Sequence, residues 1–306
     1  MKKLLAAAIV AIICLSLVAC GSDGKASGEK LKIGVMQFGE FDALQRAFEG
    51  FKEGMEEAGY VDGKNITINY LSAAADPSNC PSIADTLIND KSNLIFAIAT
   101  PSVLCVKDKT SDIPVVFTAV TDPVQSGIMG SYEGSGSNIA GSSDMNPVKE
   151  QIELIPRVLP NAKTVAVMYC SSESNSLIQF EIAKKEIEAL GLKCVEKTIS
   201  AIDEARSAVE SLKGVADVIY VPTDNTMADG MNLVSAAALE AGIPIVGGEA
   251  GQVKNGATIT FGIDYFELGK ASAKIAVDIL KSDDPVKTAG GIPVFYQTVE
   301  CQYSIN

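Results

Sequence analysis

The stretch Asp112-Ile113-Pro114-Val115-Val116-Phe117-Thr118-Ala119-Val120-Thr121-Asp122-Pro123 constrains this chain most, because its pattern is written twice. Residues 113–120 are short, β-branched and apolar on both faces, as expected of a parallel strand covered on both sides by helices. Thr121, Asp122 and Pro123 stop the strand and leave a hydroxyl and a carboxylate at its carboxyl end, where open α/β sheets bind ligands. Gly242-Ile243-Pro244-Ile245-Val246-Gly247-Gly248-Glu249 repeats the strand and the polar loop. Upstream, residues 94–99 run into Thr100-Pro101-Ser102, just as residues 218–221 run into Pro222-Thr223-Asp224-Asn225-Thr226. Lys32-Ile33-Gly34-Val35-Met36 and Thr164-Val165-Ala166-Val167-Met168 open the two halves. A duplicated βαβ unit follows. The expected fold class is α/β: two Rossmann-like, doubly wound lobes, their loops facing across a cleft, joined by several chain crossings that act as a hinge.

The 306-residue length suits two such lobes rather than one ordinary core. The formal charge is −13, and becomes −15 if a leader carrying Lys2 and Lys3 and no acid is removed, which argues against a nucleic-acid partner. The chain has no histidine, so histidine acid–base chemistry and histidine-ligated metal sites are excluded. Neither a Gly-x-Ser-x-Gly elbow nor a Gly-x-x-x-x-Gly-Lys phosphate loop occurs. A monomeric binding protein is expected, without cofactor, metal or catalytic residue.

The first residues carry an address. Lys2 and Lys3 precede an apolar run over residues 4–19, shorter than the roughly twenty residues of a membrane span, which reads as a cleavable signal peptide over 1–19. Leu17-Val18-Ala19-Cys20-Gly21 has the form of a bacterial lipobox, which would lipidate Cys20 and anchor the chain to the membrane. Residues 20–30 are rich in Gly, Ser, Lys and Asp and read as a flexible tether. Beyond Cys14 and Cys20, five cysteines remain: Cys80, Cys105, Cys170, Cys194 and Cys301. Their spacing matches no metal motif, and they read as small buried hydrophobes. If a bridge forms, Cys170 with Cys194 is the candidate, since both fall on strands expected to be neighbours.

Leu44, Phe48, Phe51 and Met55 follow Asp42 at helical spacing and read as core, whereas Phe38 and Phe41 lie in the preceding loop and can face a ligand. Thr100-Pro101-Ser102 opens a helix whose free amides suit a carboxylate. Leu268, Ser272, Ile275 and Ile279 stripe a helix over 265–280 that comes after the second sheet is complete, so it should pack back on the first lobe. The lobes are therefore expected at 31–144 with 264–285, and at 145–263 with 286–306.

Several strings resemble the ABC-transporter substrate-binding lipoproteins of the tryptophan/tyrosine type. They are Lys32-Ile33-Gly34-Val35-Met36-Gln37, Phe96-Ala97-Ile98-Ala99-Thr100-Pro101, the run from Asp112 to Pro123, and Tyr220-Val221-Pro222-Thr223-Asp224-Asn225-Thr226. The resemblance covers essentially the whole chain after the leader. It implies a type I periplasmic-binding-protein-like fold, no catalysis, and delivery of a captured solute to a membrane permease and its ATPase. Aromatic amino acids are the ligands it favours. One departure touches the cleft: members commonly carry Glu-His-Pro after the first strand, where this chain has Gly39-Glu40-Phe41-Asp42.

A free amino acid needs donors for its carboxylate, an acceptor for its ammonium and a wall for its side chain. Thr100 and Ser102 from one lobe, with Ser172, Asn175 and Ser176 from the other, are the candidate donors. Asp224, beside Asn225, is the first candidate for the ammonium, and Asp122, next to Thr121, or Glu249 the second. Phe38 and Phe41 are the candidate aromatic wall. A lipid-anchored receptor or adhesin, or a binder of a sugar or other metabolite, is the alternative reading.

Overall fold

The structure, a computed structural model, describes residues 30–296 and 302–305. In chain order the first half runs β1 (Leu31–Gln37), α1 (Asp42–Glu57), β2 (Ile66–Ser72), α2 (Cys80–Asn89), β3 (Leu94–Ile98), α3 (Thr100–Lys107), β4 (Val115–Val120) and β5 (Ile139–Ser143). The second half runs α4 (Val148–Val158), β6 (Thr164–Cys170), α5 (Ser174–Ala189), β7 (Lys193–Ile199), α6 (Ala205–Glu210), β8 (Val218–Val221), α7 (Asn225–Asp229), α8 (Met231–Ala241), β9 (Ile245–Gly247), α9 (Ala250–Lys254) and β10 (Ile259–Gly262). Then follow α10 (Tyr265–Leu280), α11 (Pro285–Gly291), β11 (Phe295–Tyr296) and β12 (Gln302–Ile305).

The two halves build the same sheet. One has the order β11-β5-β4-β3-β1-β2 and the other β12-β10-β9-β8-β6-β7. The first five strands of each half are parallel, and the sixth position is filled from the end of the chain, β11 parallel to β5 and β12 antiparallel to β10. The repeat in the sequence is therefore a repeat in space, and the fold is two parallel-sheet α/β lobes. Both sheets reverse strand order between their first and third strands, the switch point at which such folds open a crevice.

Burial explains why the strands read as continuous apolar runs. β3 and β4 are buried at every position. In the second lobe, Ala166, Met168, Ile219 and Val221 pack into one cluster, while Val165, Val167, Val218 and Tyr220 pack into another, as alternate residues on opposite faces of the sheet must. Helix α10 returns to the first lobe and lies against α1 at very close range. Glycines permit that approach: a Cβ on Gly50 would come within 1.9 Å of the Phe266 carbonyl oxygen, and one on Gly269 within 2.0 Å of that of Ala47. Phe51 of α1 stacks on Phe96 of β3 with ring centroids 3.8 Å apart, which seals the same helix to the sheet.

One expected boundary moves. The chain was expected to return to the second lobe at residue 286, yet α11 packs on β5 and α10, and β11 pairs with β5. Residues 285–296 therefore stay with the first lobe, and β12 alone completes the second sheet. The one candidate bridge, Cys170 with Cys194, does not form, since both thiols are free. β6 and β7 are indeed neighbours, but the register sets Val165 opposite Cys194 and Cys170 opposite Ile199, which leaves the two cysteines five residues out of step. Cys20, the leader, the tether to residue 29 and Cys301 lie outside the described residues.

Candidate functional site

The carboxyl ends of the two sheets face one another, and the residues that follow each strand line the space between them. From the first lobe come Phe41, Ala43 and Leu44 at the start of α1, Thr100 at the start of α3, and Ala119 and Thr121 at the end of β4. Asn175, Thr223, Asp224, Asn225, Ala228 and Glu249 come from the second, and Asp144 and Tyr265 from the chain crossings. The central cavity is narrow, about 20 Å³, which is space for about one water. A wider mouth of about 580 Å³ adjoins it, lined by Phe38, Pro101 and Leu104 on one side and Ser172, Glu173, Thr226 and Asp229 on the other.

Hydrogen bonds hold the lobes together across the cleft. Gln179 Nε2 donates to Thr121 Oγ1 at 3.4 Å across the cleft, while Asn146 Nδ2 at a chain crossing donates to Thr223 Oγ1 of the second lobe at 3.0 Å. Lys254 of α9 pairs with Asp42 of α1. Asn146 also accepts from the Ile263 amide at 3.4 Å and so ties one chain crossing to the other.

Acids dominate the lining, but most are already engaged. Asp224 caps α7: Oδ1 accepts from the Met227 amide at 2.8 Å, and Oδ2 accepts from the Cys170 amide and the Ser176 hydroxyl, each at 2.7 Å. Burial and the neighbouring Glu173 carboxylate push Asp224 upward. Glu173 accepts from the Asn225 and Thr226 amides and from both of their side chains. Glu249 caps α9 through the Gly251 and Gln252 amides, and burial pushes it up to about 7.

Asp144 differs from these. Its Oδ2 accepts from the Tyr265 hydroxyl at 2.8 Å, while Oδ1, fully buried, accepts no well-formed hydrogen bond. Burial pushes this carboxyl up to about 6, opposed by the Tyr265 and Thr121 hydroxyls and by its own amide. A buried carboxylate oxygen without a donor is costly, and a ligand cation removes that cost.

Backbone strain marks the same rim. Ala99, just before α3, has φ 78° and ψ 150°, a region almost reserved for glycine, and Ala119 has φ 54° where β4 slips register against β5. Both sit at carboxyl ends of adjacent strands, next to Thr100 and Thr121. Such conformations persist only where the surroundings force them, and they concentrate at binding sites.

Of the residues singled out from the sequence, Phe41, Thr100, Thr121, Asn175, Asp224, Asn225 and Glu249 line the central cavity, and Phe38 and Ser172 line its mouth. Three expectations are corrected. Asp122 is drawn into its own loop: it accepts from the Val124 and Gln125 amides, the Gln125 side chain and the Tyr132 hydroxyl. Ser176 is fully buried behind the lining and donates to Asp224. Ser102 is fully buried inside α3, lines neither the central cavity nor its mouth, and its hydroxyl has no partner. Asp224 stays in the cleft but is engaged as a cap of α7. Sequence reading missed Asp144, Tyr265, Gln179 and Glu173. Asp144 had one signal, its position at the carboxyl end of a fully buried strand.

Two parallel-sheet lobes with ligand-type polar loops converging on a cleft define a bilobed solute-binding protein. The chain matches the model of the ABC transporter substrate binding protein family over residues 32–294, and it belongs to that family. It is the substrate-binding component of an ABC transporter, in a family that works outside the cytoplasm. A relative from Clostridioides difficile, a tyrosine-binding protein, is 39% identical over 304 residues, covering 96% of this chain and 87% of its own. Among solved structures, an ABC domain in complex with L-Trp from Streptococcus pneumonia is 32% identical, with a TM-score of 0.86 over 90% of this chain and 92% of that one. The ligand-free, open structure of a substrate-binding protein with adhesive properties from Clostridium difficile is 39% identical, with a TM-score of 0.69 over 90% and 92%. This structure thus superposes better on the ligand-bound relative than on the open one, although the open one is closer in sequence. Among the described residues no helix is long and apolar enough to cross a membrane.

Proposed function

We propose that this protein captures an aromatic amino acid, tyrosine, tryptophan or phenylalanine, between its lobes and hands it to a membrane permease driven by a separate ATPase. It does so as a monomer, held to the outer face of the membrane by a lipid on Cys20, and performs no reaction on its cargo. The ligand ammonium sits against Asp144, with the Tyr265 hydroxyl fixing the other carboxylate oxygen. The Thr100 hydroxyl and the amide end of α3 receive the carboxylate. Phe41, Leu44 and Ala228 face the ring, with Phe38 at the mouth. The observation that carries this reading is the buried Asp144 Oδ1, which accepts no well-formed hydrogen bond at the edge of the cleft. The tyrosine-binding relative and the L-Trp complex support the ligand class.

A space of about 20 Å³ cannot hold an amino acid, so capture requires the lobes to part and close again around the ligand. The aromatic amino acids should raise the melting temperature of the purified protein, whereas glucose and galactose should not. A sugar that stabilises it while all three amino acids leave it unchanged would refute the reading. The relative with adhesive properties supports a second role, adhesion alongside capture, which binding of the purified protein to cultured cells would test.

A further inference from the structure

The charge lining the cleft is one-sided. Asp144, Asp224 and Glu249 line the central cavity, Glu173 and Asp229 line the mouth, and no lysine or arginine lines either. Arg46 and Lys254 line an adjoining recess that shares Ala43, Glu249 and Tyr265 with the central cavity, and both are already paired, Arg46 with Asp264 at 3.3 Å and Lys254 with Asp42. Metal binding does not account for the acids, since among the described residues no group of three or more acids, cysteines or histidines is arranged to hold an ion.

The acids divide by what compensates them. Backbone amides at the starts of α7 and α9 satisfy Asp224, Glu173 and Glu249. Asp144 has the Tyr265 phenol on one oxygen, no well-formed hydrogen bond on the other and only the nearby Thr121 hydroxyl and its own amide to ease its charge, and just 3% of its surface is exposed. An entering ammonium therefore meets a charged partner that lacks one. An entering carboxylate meets no full positive charge, only the Thr100 hydroxyl and the amide end of α3, since the Asn175 side chain already donates to Glu173 and the Thr223 carbonyl, and it does so among like charges in a low-dielectric space.

Resting on the reading of this cleft as an amino-acid site, we infer that it also takes arylalkylamines, which keep the ammonium and the ring of an aromatic amino acid and lack its carboxylate. Removing the carboxylate forfeits its hydrogen bonds but relieves repulsion from Asp144 and Glu249, while Asp224, pushed upward by burial and the Glu173 carboxylate, contributes less charge. Removing the ammonium instead leaves Asp144 buried without a partner. The ammonium is thus the group on which recognition depends, and the carboxylate is dispensable.

Calorimetric titration of the purified protein at pH 7.5 with three matched sets decides this: tyrosine, tyramine and 3-(4-hydroxyphenyl)propionate, and the corresponding tryptophan and phenylalanine sets. For the ring that binds best, the amine should bind within thirtyfold of the amino acid and the propionate more than thirtyfold more weakly than the amine. Asp144→Asn should weaken the amine more than thirtyfold. An amine more than thirtyfold weaker than its amino acid, or a propionate that matches the amine, overturns the inference and leaves the amino-acid reading standing. Amines that bind where no amino acid does leave the inference standing and overturn the amino-acid reading. If nothing binds, both fall.

Discussion

Replacing Asp144 with asparagine should make the empty protein more stable at neutral pH even as it abolishes capture. The carboxyl is buried at the foot of the cleft, and burial moves it from an ordinary 3.8 up to about 6. Between those two values the folded protein holds a proton that the unfolded chain has released, so stability falls as pH rises through the window. Above about 6 the penalty is fully present; below about 4 both states are protonated and it vanishes. At 1.36 kcal/mol per pKa unit, the separation is worth about 3 kcal/mol at pH 7.5. Asparagine has nearly the same shape and keeps an acceptor for the Tyr265 hydroxyl, so most of that amount should return as stability, a rise of roughly 5 °C in a chain of this size. Melting curves of the wild type and the Asn variant at pH 7.5 and pH 4 measure it. A variant that melts at or below the wild type at pH 7.5, or whose advantage persists undiminished at pH 4, would refute the view that Asp144 waits unpaired for a cation.

Two further substitutions probe the scaffold around the cleft. Gly269→Ala should lower stability by about 2 kcal/mol or more, read as a reduced urea midpoint with unchanged slope, because the new methyl would lie 2.0 Å from the Ala47 carbonyl oxygen and force α10 off α1. Ala99→Gly should raise stability by about 1 kcal/mol, since it relieves a backbone conformation that alanine adopts only under constraint, and thermal melts of the empty protein would detect it.

The duplication was legible in the sequence because parallel strands buried on both faces spell unbroken apolar runs, and two such sets with the same punctuation need two like sheets. The return of residues 265–280 to the first lobe was legible too, from a helical stripe left over once the second sheet was full. The error at residue 286 has a physical cause: the run containing Phe295 and Tyr296 is too short to declare which sheet edge it joins, and only pairing with Ser142 and Ser143 decides. Strand ends were found reliably, but the direction of the side chains beyond them was not. Asp122 looked like a ligand residue because it ends a buried strand, yet the next residues fold back and surround it with donors. Ser102 and Ser176 stand beyond the first position of their helices, and the helical turn carries them inward. Asp144 stayed hidden because its meaning lies in what it lacks, and in a tyrosine 121 residues away.

The most direct measurement is a crystal structure of the protein with L-tyrosine bound. The ligand should lie between the lobes, its ammonium nitrogen about 2.7–2.9 Å from an Asp144 carboxylate oxygen and its carboxylate near Thr100. An amino acid seated elsewhere, or one in the cleft with its carboxylate turned toward Asp144, would contradict this placement.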